Sequence, residues 1–405
     1  MEFIMTVKDR FIKYVKFETT SDENSPSCPS TAGQRVLLEE LKRELTELGV
    51  RAKIDDNGYV TAIIPATKNG LKRICFIAHV DTSPAVSGKN VNPQFVDYNG
   101  GDITLKNGLK ITPEENPELA DYVGKEIIVT DGETLLGADD KAGVAEIMAV
   151  SEILAKDETI PHGDVLIAFT PDEEIGRGTD LFDVKSFGAD FGYTVDGGDI
   201  GGIEYENFNA AGATLTINGA SIHPGSAKNV MKNAIDLFVE FHNLLPVNER
   251  PVHTEKYEGF YMADEISGGV ERVVAKYIIR DHDKSKFEDK KRYFKKISEF
   301  LNDKYGENTF VAEMKDSYYN MAEIIAENYH LVDNALKAFE ASGVKPFVVP
   351  IRGGTDGARL SYEGLPCPNL STGGFNFHGR KEFIPSFALD KMVEVILNLI
   401  KIYAE

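Results

Sequence analysis

Hydrophobic and polar positions fall into two textures along this chain. Short continuous apolar runs, the mark of strands buried on both faces, occur at 59–64, 73–78, 165–169 and 191–195. Between them lie stretches with apolar residues at helical spacing: 11–15, 31–49 with a C-capping Gly49, and 144–155. A turn-rich loop fills 19–26, and a long Gly-, Asn- and Pro-bearing insertion runs from about 84 to 121. This opening predicts an α/β domain. From Ala213 to Tyr319 the order changes to strand 213–217, helix 233–245, strands 259–263 and 273–279, helix 285–304 and strand 309–314. That βαββαβ order is the ferredoxin-like arrangement. The α/β texture then returns with a helix over 324–341, a strand over 347–351 and an amphipathic helix over 393–402. The expectation is a mixed-sheet α/β domain in two segments, 1–210 and 320–405, interrupted by an inserted α+β domain at 211–319.

Length agrees, since 405 residues is more than one core usually serves. The net charge of -21 leaves no basic field to hold a polyanion, so nucleic acid and an anionic membrane surface are excluded as partners. The charge-dense run 284–296 is interleaved with Phe287, Tyr293 and Phe294, as on a solvated amphipathic helix. Cys28, Cys75 and Cys367 are odd in number and widely spaced, which speaks against a disulfide framework and for a reducing compartment, the cytoplasm. No apolar run approaches the length of a membrane span, and the first residues carry no long apolar core of a leader.

The chemistry gathers at strand ends. Three carboxylates, Asp172-Glu173-Glu174, follow the run 165–169; His79-Val80-Asp81 follows 73–78; and Asp196-Gly197-Gly198 follows 191–195. Carboxyl ends of such strands are where open α/β sheets place their ligand sites. Neighbouring carboxylates repel unless a cation lies between them or one keeps its proton. A solvated acidic turn is the plain alternative, but three strands each delivering a metal-competent side chain favour a metal site in which one Glu binds and the other handles a proton. Leu136-Gly137-Ala138-Asp139-Asp140-Lys141 opens the helix over 144–155, where either Asp could serve as N-cap or as a further ligand. The loop Arg352-Gly353-Gly354-Thr355-Asp356-Gly357 has neither Walker nor GxGxxG spacing, so nucleotide binding is set aside.

Together with Phe377-His378-Gly379, these motifs resemble the two-zinc metallo-exopeptidases, a family that also holds acylases, dipeptidases and glutamate carboxypeptidases, and within it the tripeptide aminopeptidases. The likeness covers nearly the whole chain. It implies a two-metal site with Asp139 bridging both ions, His79 and Asp196 completing one shell and Glu174 and His378 the other. Such N and O donors suit two Zn²⁺ per subunit and tolerate Co²⁺ or Mn²⁺. Glu173 is left as general base, and Asp81 as the carboxylate that orients His79. The inserted domain is implied to be a lid and homodimerisation domain, with His223 reaching the partner subunit's site to stabilise the oxyanion. Arg280, Arg352 and Asn320 are the candidates for holding substrate, the arginines by pairing with a peptide carboxylate; Arg280 could instead pair with Asp281 or Asp283.

The implied activity is metal-dependent release of the N-terminal residue from a short peptide. The alternatives are a dipeptidase or N-acyl-amino-acid hydrolase on the same site, and a catalytically silent metal-binding protein.

Overall fold

The apolar runs become the middle of an eight-stranded mixed sheet, in the order Arg51–Ile54, Val60–Ile64, Val165–Thr170, Ile74–His79, Phe191–Gly197, Asn369–Ser371, Gly202–Glu204 and Phe347–Val348. Val165–Thr170, Ile74–His79 and Phe191–Gly197 run parallel, so their carboxyl ends emerge together. Every residue of the first two is buried, which is why they carry unbroken apolar sequence. Truncating one of these side chains, as in Leu166→Ala, is expected to cost about 2–5 kcal/mol. The helix Ala138–Lys156 packs on this sheet and is buried almost all round, with Val144, Ile147, Met148 and Leu154 within it.

The computed structural model describes residues 5–405, which divide into two units. The sheet belongs to the unit formed by the chain up to Tyr205, Glu323–Val349 and Thr355–Glu405. The other unit is Glu206–Ala322 with Pro350–Gly354.

Several elements of the first unit differ from the pattern-based expectation. The insertion at 84–121 is not plain loop: Gln94–Tyr98 pairs with Lys125–Val129, which pairs with Phe383–Pro385, over a separate core that includes Tyr98, Leu119, Tyr122, Ile127 and Phe383. The helix over 324–341 is two, Ala322–Glu327 and His330–Ala341. Asn328 breaks it, its side chain donating to the Ile324 carbonyl at 3.0 Å, a local bond that competes with helix continuation. The strand over 347–351 stops at Val348, two residues before Pro350, which has no N–H for a ladder. The C-terminal helix begins earlier, at Ser386 directly after Pro385.

The second unit is a four-stranded antiparallel sheet in the order Phe260–Gly268, Arg272–Asp281, Asn209–Asn218, Phe310–Tyr318, with helices Ala234–Leu244 and Lys284–Tyr305. Alternating burial along Arg272–Asp281 shows one face packed and one face open. The packed face meets Leu237, Phe241, Phe287, Phe294 and Leu301 from the two helices. The sequential order is βαββαβ, as the pattern predicts. All three cysteines are free, and no helix among the described residues is long and apolar enough to cross a membrane.

Candidate metal centre

His79 ends its strand and Asp196 lies one residue before the end of its own, two strand ends brought side by side by parallel pairing. His79 Nε2 stands 3.3 Å from Asp196 Oδ1 and 3.0 Å from Asp139 Oδ1. The other oxygen of Asp139 is 3.0 Å from His378 Nε2, which in turn is 2.9 Å from Glu174 Oε2. Asp139 therefore gives one oxygen to each histidine. The two groups, His79–Asp139–Asp196 and Asp139–Glu174–His378, each keep their donor atoms within 4.8 Å of one another. They differ in access: the His79 side chain is 2% exposed, that of His378 46%.

Neither Asp139 nor Asp140 caps the helix. Gly137 stands at the N-cap position with no side-chain cap, and Asp139 and Asp140 have non-helical backbone angles. Asp139 turns to the histidines, while Asp140 accepts the backbone N–H of His79 at 3.2 Å.

The acidic run separates into three roles. Asp172 sits in the left-handed region (φ 60°) and is fully buried. Its carboxylate accepts the Ser30 backbone N–H at 2.8 Å and the Gln34 amide at 2.8 Å, and its own N–H donates to Gln34 Oε1 at 3.1 Å. It pins the turn. Glu174 reaches His378 through one oxygen, and its other oxygen is buried with no hydrogen-bond partner. The Glu173 carboxylate has no protein hydrogen bond or ion pair among the described residues. Asp81, fully buried, accepts the amides of Glu173 at 3.0 Å and Glu174 at 3.1 Å, and its Oδ1 lies 3.3 Å from His79 Nδ1.

Electrostatics show what this crowding costs. Burial takes the Glu174 and Asp196 carboxyls up to about 7, against the pull of His378 and His79 respectively. Burial pushes Glu173 well above the usual carboxylate range. Burial also raises Asp139, but hydrogen bonds from His378 and His79 overcome it and hold the carboxyl below its usual value. Hydrogen bonds to Asp139 and Glu174 lift His378 to about 11, and His79 is raised despite burial by Asp196 and Asp139. The site holds negative charge that its own residues offset only by keeping protons, and dications would offset it without them. The spacing fits as well: tetrahedral ligands at about 2.1 Å from an ion lie about 3.4 Å apart, close to the observed 2.9–3.3 Å. All donors are imidazole nitrogen or carboxylate oxygen, with no thiolate.

Some residues about the site carry no sequence signal of their own. Asn369, on the strand beside Phe191–Gly197, accepts the Asp196 N–H at 3.1 Å and donates to Glu204 at 2.6 Å. Asp356 accepts from Thr170 at 3.0 Å. Glu382 accepts four backbone amides of residues 136–139. Asp356 stands in the glycine-flanked loop that the sequence singles out for other reasons; Glu382 and Asn369 stand in no motif.

The remaining candidates lie in the second unit. His223 is exposed, its Nδ1 accepting the Gly225 N–H at 3.1 Å. On Arg272–Asp281 adjacent side chains face opposite ways. Asp281 turns to Lys290 at 3.6 Å, and Asp283 caps the helix Lys284–Tyr305 by accepting the Lys286 N–H at 2.8 Å. Arg280 pairs with neither: its guanidinium lies 4.9 Å from the Tyr318 ring centroid, and Nη1 is buried without a hydrogen-bond partner. Arg352 instead spends its donors on the carbonyls of Lys256 (2.7 Å) and Glu258 (3.2 Å) and on Thr254 Oγ1 (3.0 Å). Asn320 accepts from the amides of Asn207 and Ala322 and donates to the His282 carbonyl.

Comparison with known proteins places these observations. The family model of a peptidase dimerisation domain (M20_dimer) matches residues 205–309. The chain is 55% identical over 404 residues to peptidase T of Caldanaerobacter subterraneus subsp. tengcongensis, covering 98% of this chain and 99% of that one. Its fold resembles that of the aminopeptidase PepT from Bacillus cereus (TM-score 0.77, 24% identity, 98% of both chains). It also resembles a tripeptidase from Staphylococcus aureus (TM-score 0.78, 22% identity, 98% of both chains).

Proposed function

This chain belongs to the peptidase T family, and from that premise we propose that it is a metal-dependent aminopeptidase that releases the N-terminal residue of tripeptides. The observation that carries the reading is Asp139, with one carboxylate oxygen directed to each of two histidines, together with the unpaired Glu173 carboxylate next to Glu174 in the acidic turn. His79 and Asp196 would hold one ion, Glu174 and His378 the other, and Asp139 both. Nitrogen and oxygen donors without sulfur support zinc, with cobalt or manganese tolerated. Two such ions would supply Lewis acidity for the scissile carbonyl and for the attacking water.

The protein's own residues do the rest. Glu173 takes a proton from the attacking water and delivers it to the leaving amine; burial raises its pKa above the usual carboxylate range, which makes it a stronger base than an exposed glutamate. Asp81 holds the Glu173 and Glu174 amides and faces His79, so one buried carboxylate orients base and ligands together. Arg280, whose guanidinium has no acidic partner, is proposed to anchor the peptide's C-terminal carboxylate. Arg352 and Asn320, committed to neighbouring acceptors and donors, are proposed to shape the same region. His223 is proposed to steady the oxyanion across a homodimer, which the dimerisation-domain match supports. Three unpaired cysteines support a reducing, cytoplasmic setting.

The test is hydrolysis of a free-amine tripeptide beside its N-acetylated and dipeptide counterparts, with zinc-loaded protein and with Glu173→Ala. Cleavage of the free tripeptide alone, lost by at least about 10²-fold in the variant at full metal content, is the expected result. Equal cleavage of the acetylated peptide would replace the reading with an acylase or carboxypeptidase. No cleavage by metal-replete wild type would leave a silent metal-binding protein.

A further inference from the structure

The precision with which Asp139 must be placed raises the question of what holds its backbone. Each of its oxygens serves a different histidine, so a shift of its backbone disturbs both contacts at once. Yet residues 136–139 are irregular. Gly137 lies in the left-handed region (φ 80°), and Asp139 has φ -85° and ψ 105°, outside the helical range. Amides at such a helix start have no intrahelical acceptor.

One side chain takes all of them. Glu382 Oε2 accepts from the amides of Leu136 at 2.7 Å and Gly137 at 2.9 Å, and Oε1 accepts from Ala138 at 2.7 Å and Asp139 at 3.2 Å. Glu382 is 1% exposed and forms no ion pair among the described residues. A helix start is ordinarily satisfied by a Ser, Thr, Asp or Asn at its N-cap, with one or two bonds. A buried carboxylate is a costlier solution, tolerable only because four donors surround it.

Its position in the chain explains the choice. Phe375 and Phe383 exchange backbone hydrogen bonds, the Phe375 N–H donating to Phe383 O at 2.9 Å and the Phe383 N–H to Phe375 O at 3.1 Å. They close a loop that carries His378 along its course and Glu382 at its base. From Phe383 the chain continues as the strand Phe383–Pro385, anchored on Lys125–Val129. The same short loop therefore presents one candidate ligand, His378, and grips the backbone of another, Asp139.

We infer that Glu382 is a positioning residue for the metal centre: its carboxylate locks the loop bearing Asp139 to the loop bearing His378, setting the separation of the ligands that the second ion needs. This rests on the reading of Asp139 and His378 as metal ligands. Glu382→Gln tests it with little change of volume, because its remaining oxygen can accept from two amides while its NH₂ opposes the N–H donors of the other two.

The experiment is titration of metal-free, full-length wild type, Glu382→Gln and Glu382→Asp with Co²⁺ and Zn²⁺, following the Co²⁺ absorption spectrum, stepwise affinity, and the melting temperature of the metal-free protein. Glu44→Gln, which disturbs a buried ion network of Arg10 and Lys13 elsewhere in the same unit, is the control for general loosening. Wild type taking up two ions, with Glu382→Gln binding at least one of them about 10–100-fold more weakly and showing an altered Co²⁺ spectrum, is the expected outcome. Glu382→Asp, which keeps the charge but shortens the reach, should fall between the two, and it carries the test if the glutamine variant does not fold. Excess metal should restore part of kcat while KM stays near wild type. Wild-type affinity and spectrum in both variants would overturn the inference, as would an equal loss in Glu44→Gln. Wild type that binds no second ion would overturn the ligand assignment beneath it.

Discussion

Asp81 accepts the amide hydrogen of Glu174 at 3.1 Å, a bond between residues 93 apart in the chain. The same carboxylate accepts the Glu173 amide and stands 3.3 Å from His79 Nδ1. A residue that only oriented the histidine would be replaceable by asparagine, whose oxygen could face Nδ1. Here Asp81→Asn must set an NH₂ against one of three N–H groups. The expected result is a fall in kcat of about 10–100-fold with metal still bound, and a larger loss with weakened metal binding in Asp81→Ala. Steady-state kinetics with metal analysis of each variant checks it; Asp81→Asn within threefold of wild type would show that Asp81 merely fills a turn.

Glu146 offers a prediction about pH that is independent of catalysis. It is fully buried on the helix Ala138–Lys156, neither carboxyl oxygen has a hydrogen-bond partner, and burial raises it well above its usual 4.5. Above pH 4.5 the unfolded chain releases this proton while the folded protein keeps it, so the folded state binds more protons and stability falls as pH rises. The slope is about 1.4 kcal/mol per pH unit for one group, continuing until the folded value is reached. Below pH 4.5 both states are protonated and the penalty vanishes. Glu146→Gln, isosteric with the protonated acid, should therefore be more stable than wild type at pH 7.5 and indistinguishable at pH 4, by urea midpoints across that range. A variant less stable at pH 7.5 would mean that the carboxylate has a partner in solution.

How far the sequence could be read follows from the range of the interactions. The central strands were legible because burial on both faces demands unbroken apolar runs, and the ligand types at their ends were legible because chemistry restricts them. Asp139 and Asp140 were indistinguishable by pattern; only the backbone at the start of the helix separates a side chain facing two histidines from one holding the His79 amide. The three-stranded sheet was hidden since only Gln94–Tyr98 and Lys125–Val129 lie in the stretch 84–129, while the third strand, Phe383–Pro385, lies more than 250 residues further on. Glu382 was hidden for the same reason, a lone glutamate whose four acceptor bonds span 243 to 246 residues. Arg280 and Arg352 looked alike in sequence, each at the end of an apolar run. Contacts tell them apart, since Arg352 is held by carbonyls and Arg280 is not.

That difference makes a prediction about substrate. If Arg280 anchors the C-terminal carboxylate, Arg280→Met should raise KM with little change in kcat, lowering kcat/KM by about 10–150-fold for the loss of a charge-assisted hydrogen bond worth about 1.5–3 kcal/mol. A tripeptide amide should already be a poor substrate for wild type, and the variant should no longer tell acid from amide. Arg352→Met should instead lower the melting temperature. Equal discrimination between acid and amide in wild type and Arg280→Met would remove Arg280 from substrate binding.

The two histidines should also separate in their response to substitution and to metal removal. His79 is almost wholly enclosed and His378 is half-exposed, although both contact Asp139. His378→Ala removes a donor at the surface, so the metal-free protein should keep its melting temperature while binding one ion in place of two. His79→Ala empties a buried position beside Asp81 and Asp196, so it should lose stability even without metal, by the few kcal/mol typical of a cavity with stranded polar neighbours. Chelation of wild type should itself lower the melting temperature, because ions that bind only the folded state stabilise it by about 2.7 kcal/mol at a hundredfold excess over Kd. That shift should be smaller in His378→Ala and nearly absent in Asp139→Ala, which removes the one ligand common to both groups. Native mass spectrometry for stoichiometry and thermal scans with and without chelator give both readouts. Two ions retained by Asp139→Ala would contradict a shared ligand, whatever the enzyme's activity.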